Sequence, residues 1–377
     1  MYINFWYPIC TSEELTANKP RQTQVLGLRF VAFRNADGAA CVLSDTCVHR
    51  GGSLSKGTVV DGCVVCPYHG WRYAGDGKCQ VVPSLAAGAK PPARAKVDSY
   101  PVQEKYGIVF AFLGDLAEEE RPPLYVIEEY EDPAWRPSEI MILEIDCFYE
   151  RSMENGVDPV HNEFVHPIQG SPQPIPGTIK YPETPWGSGV QGNYTELGKK
   201  MSDEEGMRSD PTVLNAGTWH HGPNTLITWI TFAENTSLHQ YFFEAPVDRN
   251  HTKIYFINMR SFRLAEKHDD VIREANLRVT AEDISILENL YPVRTPETRT
   301  REILIDGDKA IVRYRDFLDD WKARGWRLDS KTMNAADGDV AFAIPCPERR
   351  NSGNWVLEPV PLIAARDQTA GSVNNAA

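Results

Sequence analysis

Cys47-Val48-His49-Arg50-Gly51-Gly52 and, with sixteen residues between His49 and Cys66, Cys66-Pro67-Tyr68-His69-Gly70-Trp71 are the stretches on which the reading of this chain turns. Each offers one thiolate and one imidazole. An iron–sulfur centre of mixed ligation needs that set, with two cysteines on one iron and two histidines on the other. Zinc accepts the same residue types, but usually with like ligands paired in one loop. Here both loops are mixed, which favours the cluster. The glycines Gly51, Gly52 and Gly70 allow a tight backbone whose amides can face the sulfides.

The surroundings of these loops are rich in short strands. Residues 24–34 read as a strand, Asn35-Ala36-Asp37-Gly38 as a turn, and residues 39–44 as the return strand of a hairpin. Val59-Val60, Asp61-Gly62 and Cys63-Val64-Val65 repeat the pattern, and residues 107–113 form a further apolar strand. A small all-β unit is expected over about residues 25–115. Residues 114–137 are acidic and proline-bearing and read as a connector. Beyond them, strands are expected at 138–150, 226–232, 240–245 and 252–259, and helices at 265–290 and 307–323. Residues 168–215, rich in Pro and Gly, read as a long loop or lid. The small polar tail 366–377 reads as disordered.

A second group of metal-binding residue types follows the connector: Glu154-Asn155-Gly156-Val157-Asp158-Pro159-Val160-His161-Asn162-Glu163-Phe164-Val165-His166-Pro167. Two histidines and a carboxylate on one face of a metal are what a non-haem iron oxygenase uses, leaving positions open for O₂. His161 and His166 stand five apart and would not share a face of a regular helix, so the segment must distort or end near Pro167. Asp158 and His161, at i and i+3, do share one, which suits a carboxylate bonded to the second nitrogen of a ligand histidine. The third ligand must come from afar. Asp269, Asp270, Glu282, Asp283 and Glu288 are the candidates. The His220-His221 pair has no partner at a matching spacing and reads as structural.

The C-V-H-R-G and C-P-Y-H-G-W segments resemble the Rieske box, and D-x₂-H-x₄-H resembles the mononuclear iron motif of Rieske non-haem iron oxygenases. The resemblance extends over about residues 4–325, from Phe5-Trp6-Tyr7-Pro8 to Glu302-Ile303-Leu304 and Asp308-Lys309-Ala310-Ile311-Val312, the last two similar to carbazole-type aromatic-ring dioxygenases. Those enzymes have a shorter gap between the two histidines, so substrate identity is not carried over.

The resemblance implies an α+β fold. An N-terminal all-β Rieske [2Fe–2S] domain (residues 1–115) would precede a helix-grip catalytic domain (residues 116–365), an antiparallel sheet covered by helices. It implies one [2Fe–2S] cluster on Cys47, His49, Cys66 and His69, and one mononuclear Fe(II) on His161, His166 and a carboxylate late in a long helix. Asp283 fits that place, with Glu282 next to it as the alternative. It also implies a head-to-tail homotrimer in which Asp158 bridges His161 and His69 of the next chain. Electrons would come from NAD(P)H through a separate reductase, with or without a ferredoxin, because the chain has no convincing dinucleotide-binding glycine motif. Arg50, Lys56 and Arg72 are candidate docking charges for such a carrier.

Asn155, Gly156, Phe164, Val165 and Ile286, with residues 226–229, are the expected pocket. Their apolar character points to a hydrophobic, aromatic or polycyclic substrate. A ring-hydroxylating dioxygenase is the expected activity, with a monooxygenase or O- or N-demethylase, which uses the same metals, as the alternative; an electron carrier without oxygenase activity is disfavoured by the intact second motif. A net charge of −13 over 377 residues argues against nucleic acid as a partner. No apolar run of membrane-spanning length and no signal-peptide pattern stands out, so a cytoplasmic protein is expected.

Overall fold

The structure is a computed structural model and describes residues 1–86, 88–167, 173–195 and 213–366. Eleven strands make the N-terminal part: β1 (Phe5–Thr11), β2 (Arg21–Val25), β3 (Leu28–Arg34), β4 (Ala40–Ser44), β5 (Thr58–Val60), β6 (Cys63–Val65), β7 (Arg72–Tyr73), β8 (Cys79–Val81), β9 (Ser99–Tyr100), β10 (Val102–Lys105) and β11 (Ile108–Leu113). They form three antiparallel sheets, ordered β1-β11-β10, β2-β3-β4-β9 and β5-β6-β7-β8. Asp61 and Gly62 take positive φ (51° and 71°), which matches the right-handed twist of the β5–β6 hairpin they close.

Residues 24–34 are not one strand. The chain reverses at Leu26-Gly27, with φ of 58° and 80°. Leucine is an unusual turn residue. Here its side chain is fully buried and its N–H donates to the Pro246 carbonyl at 2.6 Å, so tertiary packing sets the turn.

The rest of the chain builds one antiparallel sheet from β12 (Arg136–Pro137), β13 (Met141–Ile145), β14 (Glu183–Thr184), β15 (Gly187–Tyr194), β16 (Leu214–His221), β17 (Thr225–Ala233), β18 (Thr236–Pro246) and β19 (Thr252–Arg260). The spatial order is β12-β19-β18-β17-β16-β15-β14, with β13 also paired to β19. Helices α1 (Tyr149–Val157), α2 (Asn162–Val165), α3 (Asp269–Leu287) and α4 (Lys309–Ala323) accompany it. The fold is therefore the expected α+β arrangement, a β-rich N-terminal part followed by an antiparallel sheet with helices.

Two expectations need correction. The strand placed at 138–150 ends at Ile145, and α1 starts at Tyr149. The described part of the expected loop 168–215 contains β14 and β15, while 168–172 and 196–212 lie outside the described residues, as does the tail from 367. The glycines that made 187–194 look like loop are there for packing: a Cβ on Gly189 would sit 2.2 Å from the Thr218 carbonyl oxygen of β16.

The main core does not stop at the N-terminal sheets. Phe5, Tyr7, Phe110 and Phe112 share one buried cluster with Phe243, Tyr255 and Trp321. A second cluster, including Val31, Phe33, Leu54, Val64 and Tyr73, lies beneath the Cys-His loops. Helix α1 is fixed to the sheet at its C-terminal end. Gly156 leaves no room for a side chain, since a Cβ would lie 2.0 Å from Leu226 Cδ2, and Thr218 Oγ1 donates to the Gly156 carbonyl at 2.6 Å. On its other side, α1 is tied to α4 by Arg315, whose guanidinium forks onto Glu154 at 2.7 and 2.9 Å.

Glu244 of β18 is buried beneath α1, where Ser152 Oγ donates to Oε1 at 2.7 Å and Oε2 has no partner among the described residues. Burial pushes its carboxyl up to about 8, with the Ser152 bond opposing. The folded state thus holds a proton that the unfolded chain releases near pH 4.5, so stability falls as pH rises from there toward 8. Glu244→Gln is expected to remove that loss. The gain should be absent near pH 4 and reach on the order of 3 kcal/mol at pH 7, as read from denaturant unfolding at the two pH values. An equal gain at both would refute the assignment.

Candidate metal centres

The first centre is built from two loops of the same design. Cys47 N–H donates to the Gly52 carbonyl and Gly51 N–H to the Cys47 carbonyl, at 2.8 and 2.9 Å. Cys66 N–H donates to Trp71 and Gly70 N–H to Cys66, at 2.8 and 2.9 Å. Gly51 and Gly70 hold φ of 71° and 70° at equivalent places, a conformation glycine adopts without strain. The loops converge: a point at the Cβ position of Gly52 is 2.9 Å from Cys66 Sγ and 3.9 Å from Cys47 Cβ.

Both thiols are buried, and Cys47 Sγ lies 3.2 Å from the Tyr73 hydroxyl. The two imidazoles instead face out, with ring centroids 4.4 Å apart and His49 stacked on Trp71. Of the candidate docking charges, Arg50 and Lys56 are exposed, with Arg50 over the Tyr68 ring, whereas Arg72 is paired with Asp61 at 3.3 Å.

The second centre lies where α1 ends. The chain leaves α1 at Asp158 and makes the single turn α2, with His161 before it and His166 after it. That break puts both imidazoles on one side. His161 Nε2 and His166 Nε2 point at the same atom, Asp283 Oδ1 on α3, at 3.4 and 3.2 Å. One ligand atom from each of the three residues lies within 4.8 Å of the other two.

The outer nitrogens are also engaged. His166 Nδ1 meets Glu282 Oε2 at 2.8 Å, and His161 Nδ1 meets the main-chain carbonyl of Asp158 at 2.7 Å. With each Nδ1–H donated outward, each Nε2 presents a lone pair inward, as a metal requires. Asn155 Nδ2 donates to Asp283 Oδ1 at 3.0 Å. Burial alone would raise Asp283, but the two imidazoles and Asn155 override it and hold the carboxyl well below its usual range. The donor set, one carboxylate and two tautomer-fixed imidazoles, fits a divalent iron.

The other candidate carboxylates are occupied elsewhere or far out. Asp269 is clamped by Arg136 and Arg260, Asp270 is exposed, and Glu288 accepts the Asp146 N–H. Glu282 orients His166. Its loss as Glu282→Gln is expected to weaken iron affinity by about 10- to 100-fold, measured by competition with a chelator; an unchanged affinity would show that the bond to His166 carries no weight. The expected bond from the Asp158 carboxylate to His161 is not formed. The carboxylate stands 4.0 Å from Nδ1, because the nearer main-chain carbonyl takes that proton. His220, fully buried, is bonded to Ser188 and the Gly222 carbonyl, and burial drives it down to about 3.

A cavity of about 180 Å³ opens onto the His161–His166–Asp283 side chains, between α1, α3 and the inner face of β15–β18. Asn155, Gly156 and residues 226 and 228–230 line it. Phe164, Val165 and Ile286 do not: Phe164 is 78% and Ile286 46% exposed. They adjoin the ligands in sequence, but the cavity runs along α3 toward Val279 and Thr280, away from Ile286, and α2 turns Phe164 outward. The sequence reading missed Thr218, Gln240 and Phe242, which only strand pairing brings to the cavity.

Fold and sites together define an iron-dependent oxidoreductase that joins a cluster domain to a sheet-and-helix domain. Residues 5–101 match the Rieske [2Fe-2S] domain, and residues 145–324 match the vanillate O-demethylase oxygenase C-terminal domain. The chain is 28% identical to methylxanthine N1-demethylase NdmA of Pseudomonas putida, over 85% of this chain and 89% of that protein. It is 27% identical to the 3-chlorobenzoate-3,4-dioxygenase oxygenase subunit of Comamonas testosteroni, over 76% of this chain and 65% of that one. A solved structure of an NdmA variant with theobromine superposes with a TM-score of 0.71 at 25% identity, covering 85% of this chain and 91% of that one.

The chain belongs to the Rieske non-haem iron oxygenases. Its cofactors are a [2Fe–2S] cluster and a non-haem iron. Among the described residues no helix is long and apolar enough to cross a membrane.

Proposed function

We propose that the chain is the terminal oxygenase of a multicomponent system, that Cys47, His49, Cys66 and His69 hold the cluster, and that His161, His166 and Asp283 hold the iron. The carrying observation is that three convergent ligand atoms open onto one cavity while the cluster imidazoles stand at the surface. An iron bound there supplies reductive activation of O₂. The protein's own part is to hold the two imidazoles in one tautomer, to keep Asp283 ionised through Asn155, and to enclose the substrate among Leu226, Ile230 and Phe242. The division at about residue 115 into a cluster unit and a catalytic unit belongs to the same reading.

The exposed His49 and His69 suit electron entry from a separate NAD(P)H-dependent reductase or ferredoxin, and exit to another copy. Phe164 on α2 and Ile303, 78% and 93% exposed, suit a head-to-tail trimer that covers them. The reaction favoured is monooxygenation ending in hydroxylation or O- or N-demethylation of an aromatic or heteroaromatic compound. The match to an O-demethylase domain and the near full-length similarity to an N-demethylase support it. The similarity to a chlorobenzoate dioxygenase supports the second reading, cis-dihydroxylation.

The test is turnover under ¹⁸O₂ with a partner reductase and a panel of methoxylated, N-methylated and fused-ring compounds, read by mass spectrometry. One labelled oxygen, or formaldehyde with the demethylated product, is the expected result. Two labelled oxygens in one ring would select dihydroxylation. No labelled product from iron-replete protein across the panel would overturn the oxygenase assignment.

A further inference from the structure

The inner face of the large sheet carries a polar row inside the cavity region. Cross-strand pairing aligns Thr218, Thr228, Gln240 and Asn258 on four successive strands. The next row on one side is His220, Leu226, Phe242 and Phe256, and on the other Ala216, Ile230, Leu238 and Arg260, each apolar except at one end. A polar row set against such neighbours is costly unless it is satisfied.

The protein satisfies it only in part. Thr228 Oγ1 donates to Gln240 Oε1 at 2.8 Å, and Gln240 Nε2 donates to Asn276 Oδ1 of α3 at 3.0 Å. The carboxamide is therefore pinned at both ends. One Nε2 hydrogen of Gln240 and the lone pairs of Thr228 Oγ1 remain for a ligand, and both residues line the cavity. Behind them, Asn276 Nδ2 and Asn258 Oδ1 are buried without a partner among the described residues, in residues only 6% and 0% exposed. The wall thus offers a donor beside an acceptor. Among the described lining residues there is no Lys or Arg to neutralise an anion, while Asp158 and Asp283 contribute negative charge.

The distance to the iron ligands is set by α3. Asn276, Val279, Thr280 and Asp283 form one helical stripe, with Asn276 about 10 Å before Asp283 along the axis. Gln240 and the triad line the same cavity with Leu226, Ile230 and Phe242, so a ligand held at Gln240 would extend toward the triad past apolar side chains.

We propose that Thr228 and Gln240, braced by Asn276, are the specificity-determining contacts of this cavity. They recognise an uncharged substrate whose amide or lactam group both donates and accepts, lying across the ring from the position oxidised. The proposal deepens the oxygenase reading of the same cavity and rests on it.

The test is calorimetric titration of the iron-replete full-length protein, without O₂ or reductant, using a bicyclic lactam (quinolinone), its hydrocarbon counterpart (naphthalene) and its acid counterpart (naphthoate). The lactam is expected to bind at least about 10-fold tighter than either other ligand. Gln240→Leu should erase that preference, and Thr228→Val, which keeps the side-chain volume, should reduce it in the same direction. Tightest binding of the acid, no binding of the lactam, or a preference unchanged in both variants would overturn the proposal. Binding needs no turnover, so this outcome is separate from that of the labelled-oxygen experiment.

Discussion

Asp283→Ala is expected to yield protein with a normal [2Fe–2S] visible spectrum, no mononuclear iron, and activity lowered by more than about three orders of magnitude. The argument is geometric. Asp283 Oδ1 is the point on which both Nε2 atoms converge, and Asn155 also donates to it. Without it, two neutral imidazoles remain, and the only other carboxylate bonded to either ring among the described residues, Glu282, is on the far nitrogen of His166. The cluster loops belong to a different buried cluster of side chains and do not depend on α3. Iron content, cluster absorbance and product formation on one preparation check the three parts together. Full retention of mononuclear iron would remove Asp283 from the ligand set. Loss of cluster as well would mean that the substitution unfolds more than the site.

The Cys-His loops were legible because their chemistry is local: each places a thiolate and an imidazole within four residues, and two glycines fix the turn. His161 and His166 were legible for the same reason, and the need for a break between them follows from helix geometry. The distant carboxylate was not. Glu282 and Asp283 are neighbours, about 100° apart around α3, and the register of α3 against α2 decides that Asp283 faces the Nε2 atoms while Glu282 reaches Nδ1. Spacing cannot supply that register; the motif resemblance did.

The pocket was the least legible part. Phe164, Val165 and Ile286 adjoin the ligands along the chain, whereas Thr218, Gln240 and Phe242 reach the cavity through strand pairing. Strand β15 was hidden by glycines that read as loop and serve close strand contact.

Asp158→Asn is expected to keep both metals and lower turnover by about two orders of magnitude. The structure strengthens the first half of that expectation. His161 is anchored by the main-chain carbonyl of residue 158, which the substitution leaves in place, so the ring orientation and the iron should survive. Oδ1 of the carboxylate accepts the Val160 N–H at 2.8 Å, and Oδ2 stands 4.0 Å from His161 Nδ1. It also sits at the C-terminal end of α1, where the helix dipole disfavours a negative charge. Burial pushes its pKa up, and the Val160 N–H and His161 only partly offset this.

A group placed at this cost, half-buried beside an iron ligand, is suited to accept a hydrogen bond from a donor on another copy. His69, whose imidazole is exposed, would be such a donor in the proposed head-to-tail trimer. Asparagine can still bridge but cannot carry the negative charge. The loss should therefore appear in the rate at which a pre-reduced cluster is oxidised in a single turnover, with substrate binding unchanged. Wild-type turnover at full iron content would end the bridging role. Loss of iron would instead make Asp158 part of the structure that holds the metal.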